Sequence, residues 1–249
     1  MKYSTPHVGP TCGNGAVPLA AMTIDTMDWD GAYREDGFFD GPPPWNIGEP
    51  QPVVADLIRS GAFRSDVLDA GCGHGEVSLA LAAAGHTVVG LELSDTAVAW
   101  ARHAAAQRGL TNATFAQADI TAFTGYEERF SSIVDCTLFH ALPVDRRDAY
   151  LKSVHRSATP GADYYILVFA RGAYPADMPS KPNEVDAYEL HAAVRRYFDV
   201  DFIRPAPILA KVDALPGLPD LPLPFERDDL GRLQFPGYLL RAHKAASTT

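Results

Sequence analysis

Val67-Leu68-Asp69-Ala70 runs directly into Gly71-Cys72-Gly73-His74-Gly75 and then Glu76. A short apolar run ends in a carboxylate, a glycine loop follows, and a helical pattern begins. That is strand, tight loop and helix, the layout of a nucleotide-type cofactor site. Glycine suits such a loop because the backbone must turn sharply and lie close to a ligand, where a Cβ would clash. Val88-Val89-Gly90-Leu91-Glu92 reads as a second strand that also ends in an acid. An acid at that distance downstream can accept both hydroxyls of an adenosine ribose.

The rest of the chain extends the same alternation. Pro52 suits the first position of a helix, with Val53, Val54, Leu57 and Ile58 at helical spacing and Gly61 as its stop. Val77, Ala80, Leu81 and Ala84 form one face of the next helix, which Gly85 closes. Ser94 caps a helix running to about Arg108. Strands follow at Ala113–Ala116 and Ile133–Cys136, then a helix over Asp145–Ser157. Tyr164–Ala170 is a continuous apolar run, as a buried central strand requires. A helix over Glu184–Phe198 and strands at Val200–Ile208 and Tyr238–Ala242 complete the pattern. Alternating strands and helices predict an α/β, Rossmann-like, doubly wound and mostly parallel sheet of seven strands. The proline-rich stretch before the last strand permits an antiparallel hairpin at the C-terminal end.

Composition narrows the function. The 249 residues and 47% hydrophobic content suffice for one sizeable domain. The formal net charge of −10 argues against a nucleic-acid partner. No apolar stretch reaches membrane-spanning length, so no membrane partner is expected. Cys12, Cys72 and Cys136 are scattered and form no CxxC pair, which fits a reduced, cytoplasmic protein. No His/Cys/Asp cluster has metal-ligand spacing, so no metal is expected. Residues 1–28 read as a disordered extension without signal-peptide character, and Met22 or Met27 are alternative starts. Residues 29–249 read as one domain, with covering segments at about 29–52 and 211–236. The sequence leaves oligomeric state open.

Asp69, the glycine loop, Glu92 and Asp119-Ile120 fall at the carboxyl ends of successive strands, where open α/β sheets bind ligands. Together they resemble the class I S-adenosylmethionine-dependent methyltransferases. The resemblance implies that Gly71 and Gly73 approach the methionine and ribose, and that Glu92 holds the ribose hydroxyls. It further implies that Leu93 and Ile120 pack on the adenine and that Asp119 accepts from its amino group. Asp135-Cys136 would face the methionine amino group. A second signature, Trp45-Asn46-Ile47-Gly48-Glu49-Pro50-Gln51-Pro52, resembles the Pro-Trp-Asp-Ile-Gly-x-Pro-Gln-Pro segment of small-molecule methyltransferases. These include the bacterial heterocyclic-toxin enzymes and, more distantly, the thiopurine and plant thiol/halide enzymes. Asn46 departs from the usual aspartate, which leaves a hydrogen-bonding but not a charged role. In such relatives this segment folds over the cofactor, which makes Trp29, Tyr33 and Trp45 covering aromatics.

The expected reaction is methyl transfer from S-adenosylmethionine to a small aromatic or heterocyclic N, O or S acceptor, with a thiol or thiopurine-type S-acceptor as the alternative. A nicotinamide-dependent oxidoreductase fits less well, because its loop pattern is usually GxGxxG and no Tyr-x-x-x-Lys follows. A non-catalytic cofactor-binding module is a further alternative. Bland readings stand beside each of these roles. Asp69 also serves to tie down the glycine loop, Glu92 as a solvated strand-end acid, and Asp119 as a turn cap. Cys72 reads as a small buried filler, and His74 and His103 as exposed histidines. His140 follows a strand end and is the candidate general base. Its rival role is a satisfied core histidine, because geometry must be shown before a base is assigned.

Overall fold

The computed structural model describes residues 27–34, 42–174, 181–211 and 225–246. Residues 1–26 of the expected 1–28 extension (Cys12 among them), 35–41 of the first covering segment and 212–224 of the second lie outside the described residues. The chain begins with α1 (Trp29–Tyr33) and α2 (Pro52–Arg59). It continues with β1 (Val67–Ala70), α3 (Glu76–Ala83), β2 (Val88–Glu92), α4 (Asp95–Gln107), β3 (Ala113–Gln117) and β4 (Phe130–Cys136). Then come α5 (Arg147–Ser157), β5 (Ala158–Phe169), α6 (Ala187–Val194), β6 (Asp199–Pro205), β7 (Ile208–Ala210), β8 (Leu233–Phe235) and β9 (Gly237–His243).

Seven strands form one sheet in the order β3-β2-β1-β4-β5-β9-β6. The pairs among β1 to β5 are parallel, and β9 runs antiparallel to both β5 and β6. The antiparallel ending is therefore present, but β9 is inserted and β6 takes the edge. A run expected as one strand from Val200 splits at Pro205, which cannot continue the ladder as a donor. Its distal piece, β7, pairs with β8 as a separate antiparallel hairpin. Residues 233–235 of the second expected covering segment are thus spent on strand pairing.

Burial follows the sequence pattern. Every residue of β1 and β2 is buried, as strands covered on both faces require. One face packs against α5 and α6 through Tyr150, Leu151, Val154, Leu190 and Val194. The other packs against α2, α3 and the β7–β8 hairpin through Val53, Val54, Val77, Leu81, Ile208 and Phe235. The switch from β1 to β4 lies at the sheet centre, which leaves the crevice outside the carboxyl ends of β1, β2 and β4 for a ligand.

Gly90 shows how closely the layers approach. A Cβ at Gly90 would lie 2.7 Å from Phe115 Cδ1 and 2.8 Å from Cys72 Sγ. Gly90→Ala should destabilise the fold by about 1–3 kcal/mol, the usual cost of overpacking. Chemical denaturation measures it, and an unchanged midpoint would show that Phe115 and Cys72 move aside freely.

Candidate active site

The loop after β1 turns through Gly71, Gly73 and Gly75 at φ +67°, +51° and +84°. This left-handed region penalises side chains, so the glycine pattern is a backbone requirement. Gly71 and Cys72 both donate from the backbone to Leu91 O, which fastens the loop to β2.

Two buried acids brace the loop from its two ends. Asp69 Oδ2 accepts from the Ser78 backbone N–H at 3.0 Å and from Ser78 Oγ at 2.7 Å, so it ties β1 to α3. Glu92 Oε2 accepts from Gly73 N–H at 3.0 Å, while Oε1 accepts from Leu93 and Ser94 N–H at 2.8 and 3.0 Å. A carboxylate offers about four lone-pair directions, so Glu92 keeps one for a further donor. Burial pushes Asp69 up to about 6, against the Ser78 bonds that favour its charge. Burial also raises Glu92, opposed by its backbone donors. Leu93, beside Glu92, leaves 52% of its surface exposed, an uncommon position for a leucine next to a buried acid. Its carbonyl accepts from Gln117, which with Leu91, Ala116, Asp119 and Phe123 lines a depression of about 330 Å³.

Asp119 sits at that rim. Asp119 Oδ1 accepts from Thr121 N–H and Oγ1, and its Oδ2 meets Arg146 at 3.2 Å. Both oxygens therefore have partners in the chain, and nothing in the local sequence points to Arg146 as one of them. Ile120 is buried in the core beneath the rim.

Of the two routes open to Asp135, backbone or side chain, the side chain is already engaged within the protein. The residue is fully buried, and its side chain turns to the α5 face, away from Asp69 on the α3 face. Oδ1 accepts from Leu138 and Phe139 N–H, and Oδ2 from the Tyr150 hydroxyl. Any approach to a ligand's amino group is left to the backbone here. The half-buried Cys136 thiol is pushed up by desolvation and by the nearby Asp69 and Asp135, so it stays protonated at neutral pH. Cys72, also half-buried, is raised by desolvation and by Asp69 and Glu92, and its sulfur packs against Gly90.

His140 is buried, and burial lowers it to about 3. Its Nδ1 accepts from Phe169 N–H at 3.2 Å. A neutral imidazole that accepts at Nδ1 carries its proton on Nε2, so as folded it has no lone pair for a substrate proton. The ring stacks within 4.4 Å of Phe169 and belongs to a wall that continues through Tyr174, Phe235 and Phe225.

The covering aromatics gather over the glycine loop. Trp45 donates from Nε1 to the Tyr33 hydroxyl at 3.4 Å, and its ring meets Tyr33 and Trp29 edge-on at 6.2 and 6.1 Å. Tyr33 crosses Gly73 so closely that a Cβ there would lie 2.9 Å from its hydroxyl. His74, which reads as an exposed residue in the sequence, packs 5.1 Å from Tyr33. α1 is pinned by Asp30, whose Oδ1 accepts from Ser94 Oγ and Thr96 N–H at the start of α4. The strap from Pro44 to Gln51 is fastened by Gln51, which donates to Leu209 O at 2.9 Å and accepts from Leu209 N–H at 2.8 Å. Lys211 N–H adds a bond to Pro44 O. Asn46 accepts from Gly48 N–H, a turn-forming bond that needs no charge. Gln51 enters the sequence reading only as a member of the Trp45–Pro52 signature; its anchoring to Leu209, 158 residues away, has no local signal.

A doubly wound sheet, a left-handed glycine loop and a strand-end acid facing it define a Rossmann-like cofactor enzyme. The methyltransferase-domain family profile matches residues 67–161. A 2-heptyl-1-hydroxyquinolin-4(1H)-one methyltransferase of Mycobacteroides abscessus is 46% identical over 203 residues, 81% of this chain and 89% of the relative. The protein solved in work on the conversion of a disulfide bond into a thioacetal group during echinomycin biosynthesis superposes with TM-score 0.73 at 31% identity. That match covers 88% of this chain and 92% of the other. The 1,6-didemethyltoxoflavin-N1-methyltransferase of Burkholderia thailandensis, solved with S-adenosylhomocysteine, shares the fold with TM-score 0.57 at 20% identity, over 78% and 77% of the two chains. The chain belongs to the S-adenosylmethionine-dependent methyltransferases, and S-adenosylmethionine is its cofactor.

Two predictions follow from the braces. Glu92→Ala frees three backbone donors, so it should cost about 1–3 kcal/mol of stability as well as weaken cofactor binding. Calorimetry beside a melting curve separates the two, and full affinity would make Glu92 a brace alone. The second concerns pH. The folded chain keeps the Asp69 proton up to about 6, whereas the unfolded chain loses it near the usual carboxylate value of about 4. This contribution to stability is full below about pH 4 and is lost as pH rises through about 6. Denaturant titrations of Asp69→Asn across that window should show a shallower decline than the parent; parallel curves would refute it.

Proposed function

We propose that this enzyme transfers a methyl group to a small aromatic or heterocyclic molecule through a nucleophilic N, O or S atom. The observation that carries the reading is the union of a braced glycine loop with an aromatic cover and an aromatic wall. Gly71 and Gly73 offer close backbone approach, Glu92 offers its remaining lone pair to a ribose hydroxyl, and half-exposed Leu93 beside the 330 Å³ depression offers an apolar seat for a purine. This donor set fits S-adenosylmethionine. Ile120 supports the seat from below. Asp119, with both oxygens engaged, takes the adenine amino group by sharing an acceptor or by exchanging the Arg146 partner. Bound S-adenosylmethionine supplies an already activated methyl on a sulfonium sulfur.

The chain then has three tasks. Trp29, Tyr33 and Trp45 cover the site and exclude water, and their faces suit a cationic neighbour. The buried wall of Phe169, Tyr174 and Phe235 backs the site and holds its shape by ring packing. Proton removal is left to the acceptor's own acidity, since His140 has its lone pair engaged. The quinolone-methylating relative, 46% identical, supports a heterocyclic acceptor. The charge of −10 supports a neutral small molecule over a nucleic acid. Among the described residues no helix is long and apolar enough to cross a membrane. With thiols spaced as lone cysteines, a cytoplasmic location is the reading in keeping with this.

A methyl-transfer screen with labelled cofactor against heterocyclic N-, O- and S-acceptors tests the reading. Transfer to heterocycles is the expected result, and exclusive transfer to a simple thiol would replace it with the S-methyltransferase alternative. His140→Ala should depress kcat on hydroxyl and thiol acceptors to the same degree, because the ring holds shape. A loss of about 10²–10⁴-fold confined to the less acidic acceptor would restore it as the base.

A further inference from the structure

A line of buried hydroxyls stands behind the site and takes no part in the reading above. Tyr164 in β5 and Tyr150 in α5 are both fully buried. The Tyr164 hydroxyl donates to the Tyr150 hydroxyl at 2.9 Å, and Tyr150 donates to Asp135 Oδ2 at 2.7 Å. The other oxygen of Asp135 holds Leu138 and Phe139 N–H at 2.9 and 3.2 Å. The chain of donors thus runs from the centre of β5, through α5, to the segment that follows β4.

That segment reaches the glycine loop. Leu138 lies against Gly71 so tightly that a Cβ there would sit 2.8 Å from its Cδ1. Thr137, one residue earlier, takes φ +77°, a costly conformation for a β-branched residue that its neighbours must enforce. The two bonds that Asp135 accepts from the Leu138 and Phe139 amides enforce it together with the Thr137 N–H bond to Leu167 O at 2.9 Å. The groups that face Asp135 are Tyr150 from α5, Tyr164 from β5, Cys136 beside it, Asp69 from β1 and the two amides of its own loop. All but Asp69 are neutral and Asp69 is of like charge, so the Asp135 carboxylate is steadied by hydrogen bonds alone. Burial meanwhile pushes it up to about 7, so the tyrosine chain acts on a group poised between its two charge states.

We infer that Tyr150 and Tyr164 are positioning residues for methyl transfer, which through Asp135 hold the Leu138 segment against Gly71 and so set how well the glycine loop receives the cofactor. The inference rests on the reading of that loop as the cofactor seat. Its rival is that both tyrosines are ring-shaped core filling, in which case their oxygens are dispensable.

Tyr150→Phe and Tyr164→Phe remove one oxygen each and keep the ring. Two measurements decide. The first is a ¹³C NMR titration of the Asp135 carboxyl carbon in the ligand-free protein, assigned with Asp135→Asn. The second is the dissociation constant of S-adenosylhomocysteine by calorimetry. In Tyr150→Phe the titration should move up by about one pH unit, because the charged form has lost a donor. The dissociation constant should rise about tenfold, the low end for a hydrogen bond to a charged group. Tyr164→Phe should change both in the same directions and by less, and it carries the test if Tyr150→Phe fails to fold. A titration unmoved in both variants overturns the relay. A moved titration with unchanged affinity overturns the positioning role. If the parent itself fails to bind S-adenosylhomocysteine, the cofactor-seat reading falls, and the ligand-free titration tells that failure from the first.

Discussion

Three backbone N–H groups, those of Gly73, Leu93 and Ser94, converge on the buried Glu92 carboxylate. The loop after β1 consists of left-handed glycines with little side chain to pack, so hydrogen bonds must define its shape. Ser94, whose amide is one of the three, also caps α4 and donates to Asp30 in α1. The same carboxylate therefore fixes the glycine loop, the turn after β2 and, through Ser94, the helix that carries Tyr33. A buried acid in such a position costs desolvation, and three donors offset it.

Asp69 and Asp135 use the same device on opposite faces of the sheet. They end the neighbouring strands β1 and β4 in register one residue apart, since Ala70 pairs with Asp135. Their side chains therefore point to opposite faces. Asp69 is bonded to α3 and Asp135 to α5. Each is raised by burial and held by short bonds, so the carboxyl edge of the sheet is set by acids whose partners are amides and hydroxyls. Such an edge has its own negative charge and no basic side chain among the groups that shift Asp69 or Glu92. A cationic cofactor is electrostatically suited to it.

The cover is built by a different principle. The strap of Pro44 to Gln51 makes no ladder with the main sheet; the two-point bond from the Gln51 amide to Leu209 substitutes for strand pairing. Arg232, largely shielded from solvent, pairs with Asp228 inside the same hairpin and with the more exposed Glu49 of the strap, and so adds a second fastening between the two. Trp45 is carried by this unit and Tyr33 by α1, so the one hydrogen bond between them joins two independently anchored pieces over Gly73.

The sequence by itself determined the parallel core, the glycine loop and the strand-end acids, because each is local. Period-two and helical hydrophobic patterns, a serine cap at Ser94 and a run of glycines report on a few adjacent residues. It also brought together Trp29, Tyr33 and Trp45 through a recognisable segment. Tertiary structure alone decided the rest. Where β9 inserts depends on pairing across distant segments, and the split at Pro205 that frees β7 for Gln51 is settled by a partner far along the chain. Side-chain direction decided the acids: Asp135 faces Tyr150 because its register with Ala70 turns it to the α5 face, which no spacing in the sequence records. His140 was undecidable for the same reason. An imidazole after a strand end reads alike as base or as filler until the backbone N–H of Phe169, from another strand, takes its lone pair.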